Sequence, residues 1–175
     1  TVTQGGTWNQ PASRLNDGAH GPSEDNGSVA FATPNATATY HLGLGTNGNG
    51  YDLTSIQTIA AWGGADWESQ AYTLEVRLKG SASYTTIATV SYAPLAPSNS
   101  PGSTKVTLTQ PGGFVASGVE YIRLTQNTAS NQHTTFRELD VFGTETPTQT
   151  TVSSTNELEY SGDVSGTDLL HGLTV

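Results

Sequence analysis

The stretch Ala71-Tyr-Thr-Leu-Glu-Val-Arg-Leu-Lys79 decides the fold class. Leu74, Val76 and Leu78 alternate with Glu75, Arg77 and Lys79, a period of two that puts apolar side chains on one face of a strand and charged ones on the other. Ile122 and Leu124 repeat the pattern against Tyr121 and Arg123. Outward from these two runs, further β-branched or alternating segments cover Ser28 to Thr33, Ala36 to Leu42, Leu53 to Trp62, Tyr84 to Tyr92, Lys105 to Thr109 and Thr135 to Phe142. Strong breakers separate them: Asn47-Gly48-Asn49-Gly50, Gly63-Gly64, Pro94 to Pro101 and Pro111-Gly112-Gly113. The expectation is an all-β chain: a jelly-roll β-sandwich of about eight antiparallel strands, with an immunoglobulin-like sandwich as the alternative. Its core is expected to hold Ile56, Ile59, Leu74, Val76, Leu78, Ile87, Val90, Val106, Leu108, Ile122, Leu124, Leu139 and Val141.

Composition agrees with short strands joined by polar turns, since 34% of residues are hydrophobic and 12% charged. Six Lys and Arg against fifteen Asp and Glu give a formal charge of −9, which repels nucleic-acid phosphates and anionic lipid, so no nucleic acid is expected as a partner. The same carboxylates suit a hard divalent cation. Without cysteine there is no disulfide, thiolate metal site or cysteine nucleophile. No apolar run approaches the roughly 18 residues that cross a bilayer, so no membrane insertion is expected. A chain beginning at Thr1 is expected to be a processed or excised segment.

The texture changes after Gly143. Residues 1–143 are expected to form the sandwich, 144–155 a Thr- and Ser-rich linker, and 156–175 an extra strand or the start of a following domain.

Motifs for chemistry are few. Gly43-Leu-Gly45-Thr-Asn-Gly48 has dinucleotide-fingerprint spacing, but another strand follows it where a helix is required, so a hairpin turn is expected. There is no Gly-x-Ser-x-Gly elbow and no His-Glu-x-x-His, and His20, His41, His133 and His171 are scattered. The carboxylate pairs Glu24/Asp25, Asp66/Glu68 and Glu138/Asp140 are readable as solvated charge, although such pairs perform acid and base work in glycosidases. Asn26-Gly-Ser28 and Asn35-Ala-Thr37 are formal glycosylation sequons of the kind chance produces in an Asn- and Thr-rich chain.

Two segments say more together: Leu15-Asn-Asp17-Gly18-Ala-His-Gly-Pro-Ser23 and Phe136-Arg-Glu138-Leu-Asp-Val-Phe-Gly143. The pair resembles the discoidin-like fold of coagulation-factor type C domains and family 32 carbohydrate-binding modules, with an Asp-Gly turn in the first loop and Glu-Leu-x-Val-x-Gly in the last strand. The resemblance runs from about Trp8 to Gly143 and takes in Tyr72 to Arg77 and Tyr121 to Leu124. Two departures stand out: the cysteine pair of many coagulation-type members is absent, and Lys79-Gly-Ser81 replaces Ser-x-Asp-Gly after the central strand. Both bring the chain closer to bacterial sugar-binding modules.

The resemblance implies one Ca2+ joining the first loop to the last strand. Its side-chain ligands would be Asp17, Glu138 and, with the weakest spacing, Ser23; carbonyls of Leu15, Ala19 or His20, and Arg137 would complete the shell. It also implies a sugar site in loops at one end of the sandwich. An exposed indole for the C–H face of a pyranose points to Trp67, beside Asp66 and Trp62, with Asn127, Asn131, Gln132 and His133 as polar partners. The implied function is a non-catalytic, lectin-like carbohydrate-binding module of an extracellular, secreted or cell-surface protein, whose expected partners are a glycan or polysaccharide, and other domains of the same chain or further copies of itself. The alternative is an adhesive or filament-forming protein that self-associates without a sugar site, and a hydrolase ranks last.

Overall fold

The computed structural model describes residues 1–18, 30–62, 68–93, 102–128 and 133–148. Among the described residues nine strands form in chain order: β1 (Val2–Gly5), β2 (Ala30–Ala32), β3 (Thr37–His41), β4 (Tyr51–Trp62), β5 (Gln70–Leu78), β6 (Thr85–Tyr92), β7 (Gly102–Thr109), β8 (Ala116–Gln126) and β9 (Thr134–Glu145). One 3-10 turn, Ala12–Asn16, lies between β1 and β2. The eight expected strands are all present; the ninth is β1, four residues long, whose Thr-Gln-Gly composition hides it. The last strand runs to Glu145, and Thr146 donates its N–H to the Gly50 carbonyl, so residues 144 and 145 belong to the sheet and not to the linker expected there. None of the described helical segments is long and apolar enough to cross a membrane.

Every pairing is antiparallel. One layer has the order β6-β5-β8-β3-β1 and the other β7-β4-β9-β2. The layers join at one corner, where Tyr51 and Leu53 of β4 meet Val119 and Ala116 of β8. Because the chain crosses between layers at most connections, the sandwich is a jelly roll.

The apolar side chains fill the space between layers. Leu74, Val76, Ile122 and Leu124 from one layer meet Ile56, Phe136 and Leu139 from the other, all with at most 4% of their surface exposed. Tyr40, Tyr72, Leu53, Val119, Ala12 and Leu15 join them, and Trp8 packs on the margin with its indole N–H shared between the Gly5 and Thr37 carbonyls. Two expected core residues fall outside. Ile59 lies on the outer face because the alternation along β4 turns Ile56, Thr58 and Ala60 inward; Leu78, at the end of β5, is 41% exposed. Ile87, Val106, Leu108 and Val141 are only partly buried against the core.

The segment between β3 and β4 is a turn, as its Asn-Gly repeats require. Gly48 and Gly50 both have left-handed backbones, at φ +65° and +82°, but only Gly50 is crowded: an added Cβ would stand 2.7 Å from the Val119 carbonyl oxygen. Gly48→Ala should therefore cost only the left-handed penalty of about 1–2 kcal/mol, and Gly50→Ala clearly more, because the β4–β8 corner must move. Urea unfolding of the two variants checks this; equal losses would mean the corner yields freely.

Candidate functional site

The first loop and the last strand meet at a bulge. On β4, the adjacent residues Ile59 and Ala60 pair with Glu138 and Phe136 of β9, leaving Arg137 as the extra residue. The insertion lets Phe136 and Leu139, three apart, both face the core, and turns Arg137 and Glu138 away from it. Both are still buried, Arg137 at 1% and Glu138 at 2% exposure. Arg137 donates its Nε–H to the Ala61 carbonyl at 3.2 Å.

The other half of this place is built by the 3-10 turn, which anchors itself by burying Ala12 and Leu15, with the Tyr40 hydroxyl donating to the Ala12 carbonyl at 2.8 Å. Asp17 then ends the turn, Gly18 takes φ +74°, and the Gly18 N–H approaches Glu138 Oε1 at 3.4 Å. A contact across 120 positions of sequence thus joins the two motif segments. Glu138 Oε2 is buried and has no hydrogen-bond partner among the described residues.

Burial pushes the Glu138 carboxyl up to about 7; the Gly18 N–H opposes the rise, while Asp140 and Asp17 add to it. The charges of Asp140 and Asp17 both act against ionisation of Glu138, so a cation would be favourable there. Among the described residues no three His, Cys, Asp or Glu side chains cluster to hold a metal. A cation here would draw on backbone carbonyls, as calcium does with its all-oxygen shells. Asp17, Leu15, Glu138 and Arg137 are brought together; Ala19, His20 and Ser23 lie outside the described residues.

The second place is the end of the sandwich where β4, β6 and β8 finish and β5, β7 and β9 begin. A buried polar layer closes the core there. The Thr58 hydroxyl donates to Gln70 Oε1 at 2.6 Å and lies 2.6 Å from the Tyr72 hydroxyl, which is left to act as donor to it. Gln70 Nε2 donates to the carbonyl and hydroxyl of Thr104, and the Thr104 hydroxyl to the Glu68 carbonyl. Alongside, Gln126 Nε2 donates to Thr134 Oγ1, whose proton goes to the Ser69 carbonyl.

Of the residues expected to bind sugar, Trp62, Asn127 and His133 stand at this end, each half-buried. Asn127 is engaged: its backbone N–H donates to the Ala71 carbonyl at 2.8 Å and its amide to Thr73 Oγ1 at 3.1 Å. Asp66, Trp67, Asn131 and Gln132 lie outside the described residues. Sequence reasoning missed Tyr92, the last residue of β6, beside a cleft of about 140 Å3 lined also by Ser69, Gln70, Ala71, Ser91, Ala93 and Thr128. The available signal was an aromatic at a strand end just before the Pro94 to Pro101 breaker.

No family model and no curated protein matches the sequence. Solved structures do match in three dimensions. The chain is similar to a family 32 carbohydrate-binding module from C. perfringens solved in complex with galactose, with TM-score 0.52 and 16% identity over 80% of this chain and 92% of that one. It is similar to a fucolectin from striped bass (Morone saxatilis) serum, with TM-score 0.55 and 17% identity over 82% of this chain and 46% of that one. A family 62 module from Clostridium thermocellum gives TM-score 0.51 and 20% identity over 84% and 96%. The sandwich therefore has the discoidin-like, galactose-binding fold.

Because the folded value of Glu138 lies above its ordinary value, the folded state holds this proton more tightly than the unfolded state does. Stability in chelator should fall as pH rises from about 4.5 to about 7, then change no further on this account. Glu138→Gln should flatten that slope. Melting temperatures of both proteins across the window check it, and an identical slope in the variant would assign the effect to another group.

Proposed function

We propose that the chain is a non-catalytic carbohydrate-binding module of a secreted or cell-surface protein, stabilised by one calcium ion. The observation that carries the reading is the fold shared with a module solved in complex with galactose. The order of the strands supports it further, since Trp62, Asn127 and His133, which border the segments holding the other sugar-suited residues, stand at one end of the sandwich. In this reading the Trp67 indole takes the apolar face of a sugar ring, with Asp66, Asn131, Gln132 and His133 meeting hydroxyls and Trp62 backing the loop. Asn127, whose amide is tied to Thr73, would add a further polar partner.

The calcium reading is supported by the buried, unpartnered Glu138 Oε2 beside a negatively charged turn. Asp17, Glu138 and Ser23 would supply side-chain oxygens, and Leu15, Ala19 or His20, and Arg137 carbonyls. The ion does no chemistry here; it fixes the first loop to β9.

Trp67→Ala is expected to abolish glycan-array binding while leaving the melting temperature within a few degrees, and His133→Ala to weaken binding less. An equal loss of stability in Trp67→Ala would make that indole a packing residue. Separately, adding calcium at about a hundredfold excess over its dissociation constant to chelator-treated protein should raise stability by about 2.7 kcal/mol. Differential scanning calorimetry reads the gain, and an unmoved transition in protein shown to bind calcium would rule out the structural role.

A further inference from the structure

The exposed tyrosines divide sharply by what covers their rings. On the outer face of the β6-β5-β8-β3-β1 layer, Tyr121 stacks on His41 at 4.3 Å and carries the Arg77 guanidinium 3.8 Å from its centroid. Tyr84 is capped by Arg123 at 3.9 Å, and Arg123 is held in turn by both carboxylate oxygens of Glu75, at 2.7 and 2.9 Å. These rings are already occupied by cations. Tyr40 and Tyr72 are buried, and Tyr51 packs on the core. Tyr92 alone among the described tyrosines combines high exposure, 47%, with a ring and hydroxyl that meet no partner.

Its position gives the free ring a use. Tyr92 pairs with Gln70 and Val90 with Tyr72, so Tyr92 stands on the inward side of β6, one rung beyond the core, at the open end of the sandwich. Gln70 beneath it is immobilised by Thr58 and Thr104. The cleft beside Tyr92 adds the Thr128 hydroxyl, exposed and without a hydrogen-bond partner among the described residues, while Ser91, the neighbour of Tyr92 along β6, faces the opposite side of the strand. No charged side chain is among its described lining residues. At about 140 Å3 it is smaller than the roughly 300–1,000 Å3 clefts that take drug-sized ligands.

We propose that Tyr92 and this cleft form a subsite for one neutral pyranose ring: the phenol ring stacks on the C–H face, and the Thr128 and phenol hydroxyls meet sugar hydroxyls. The subsite rests on the carbohydrate-binding reading and assigns it a second point of contact. Phe114 and Phe142 are as exposed as Tyr92, but they lie in the β7–β8 turn and near the far end of β9 and carry no hydroxyl. The neutral lining selects against sialic and uronic acids, which would bring a carboxylate to a cleft with no cation among its described lining residues.

The test is an amide chemical-shift titration of the 15N-labelled full chain with galactose, fucose, glucose, mannose, N-acetylglucosamine and glucuronate. Expected are shifts at Ser69 to Ala71, Ser91 to Ala93 and Thr128 with at least one neutral sugar, and none there with glucuronate. Tyr92→Ala should weaken that binding at least about tenfold, Tyr92→Phe should retain most of it, and Thr128→Val gives a second reading should Tyr92→Ala fold poorly. Shifts confined to the neighbourhood of Trp67 and His133, with Tyr92→Ala binding as tightly as the parent, would overturn the subsite and leave the carbohydrate reading standing. No shifts with any sugar, and a blank glycan array, would overturn both.

Discussion

The pairing of β4 with β9, broken once at Arg137, is the constraint on which the rest of the molecule depends. In an unbroken ladder, side chains two apart share a face, and Phe136 and Leu139 could not both enter the core. The bulge gives both of them to the apolar layer, at 0% and 4% exposure. It also delivers the Glu138 carboxylate to the far side of the strand, where the Ala12–Asn16 turn and Gly18 come to meet it. One inserted residue thus serves packing and electrostatics together. A second irregularity on β4, between Leu53 and Ser55, does the same for Leu53 and Ile56 near the corner that joins the layers.

At the opposite end of β4 from that corner, polar bonds take over from apolar packing. Thr58, Gln70, Tyr72 and Thr104 are all buried, and each makes the bonds described above, so β4, β5 and β7 are tied by directional contacts. A buried polar group without partners costs about 1–3 kcal/mol, so a network of this kind holds its members in one arrangement or not at all. Loops rising from such a layer start from fixed stems. That is the usual physical basis for a recognition surface: variable segments on a scaffold that does not move.

The strands were legible in the sequence because each carries a period-two pattern or a β-branched run between strong turn residues. β1 was not, since Val2-Thr-Gln-Gly5 buries little and is held by its ladder to β3. Ile59 was misplaced because an apolar run such as Ile56 to Ala61 does not declare which of its residues face inward; Thr58, polar by type, goes in because Gln70 and Tyr72 bond it. Phe136 was missed because period two counted back from Leu139 turns it outward, and no local signal marks the bulge. The joining of Asp17-Gly18 to Glu138 was reachable only through the family resemblance, as contacts across 120 residues leave no trace in either segment alone. Tyr92 was passed over for a related reason: nothing in the sequence says that Tyr84 and Tyr121 are covered by arginines while Tyr92 is not.

Charge placement sets Glu138 apart from Glu75, Glu120 and Glu145. Glu75 is paired with Arg123, Glu120 faces His41 and Arg77, and Glu145 accepts from the Thr46 hydroxyl and from the Thr46 and Asn47 N–H groups. With six basic residues against fifteen acidic ones, cations are scarce, and Arg77 and Arg123 are spent on the outer sheet face. Arg137 is next to Glu138 in sequence but sends its Nε–H to Ala61. A carboxylate buried among negative neighbours is relieved by a proton or by an external cation, and the two compete for the same oxygens. Under the calcium proposal, acid would therefore expel the ion while leaving Glu138 neutral and tolerated. The first loop would then lose its tether to β9, but the apolar core around Phe136 and Leu139 would not lose its packing.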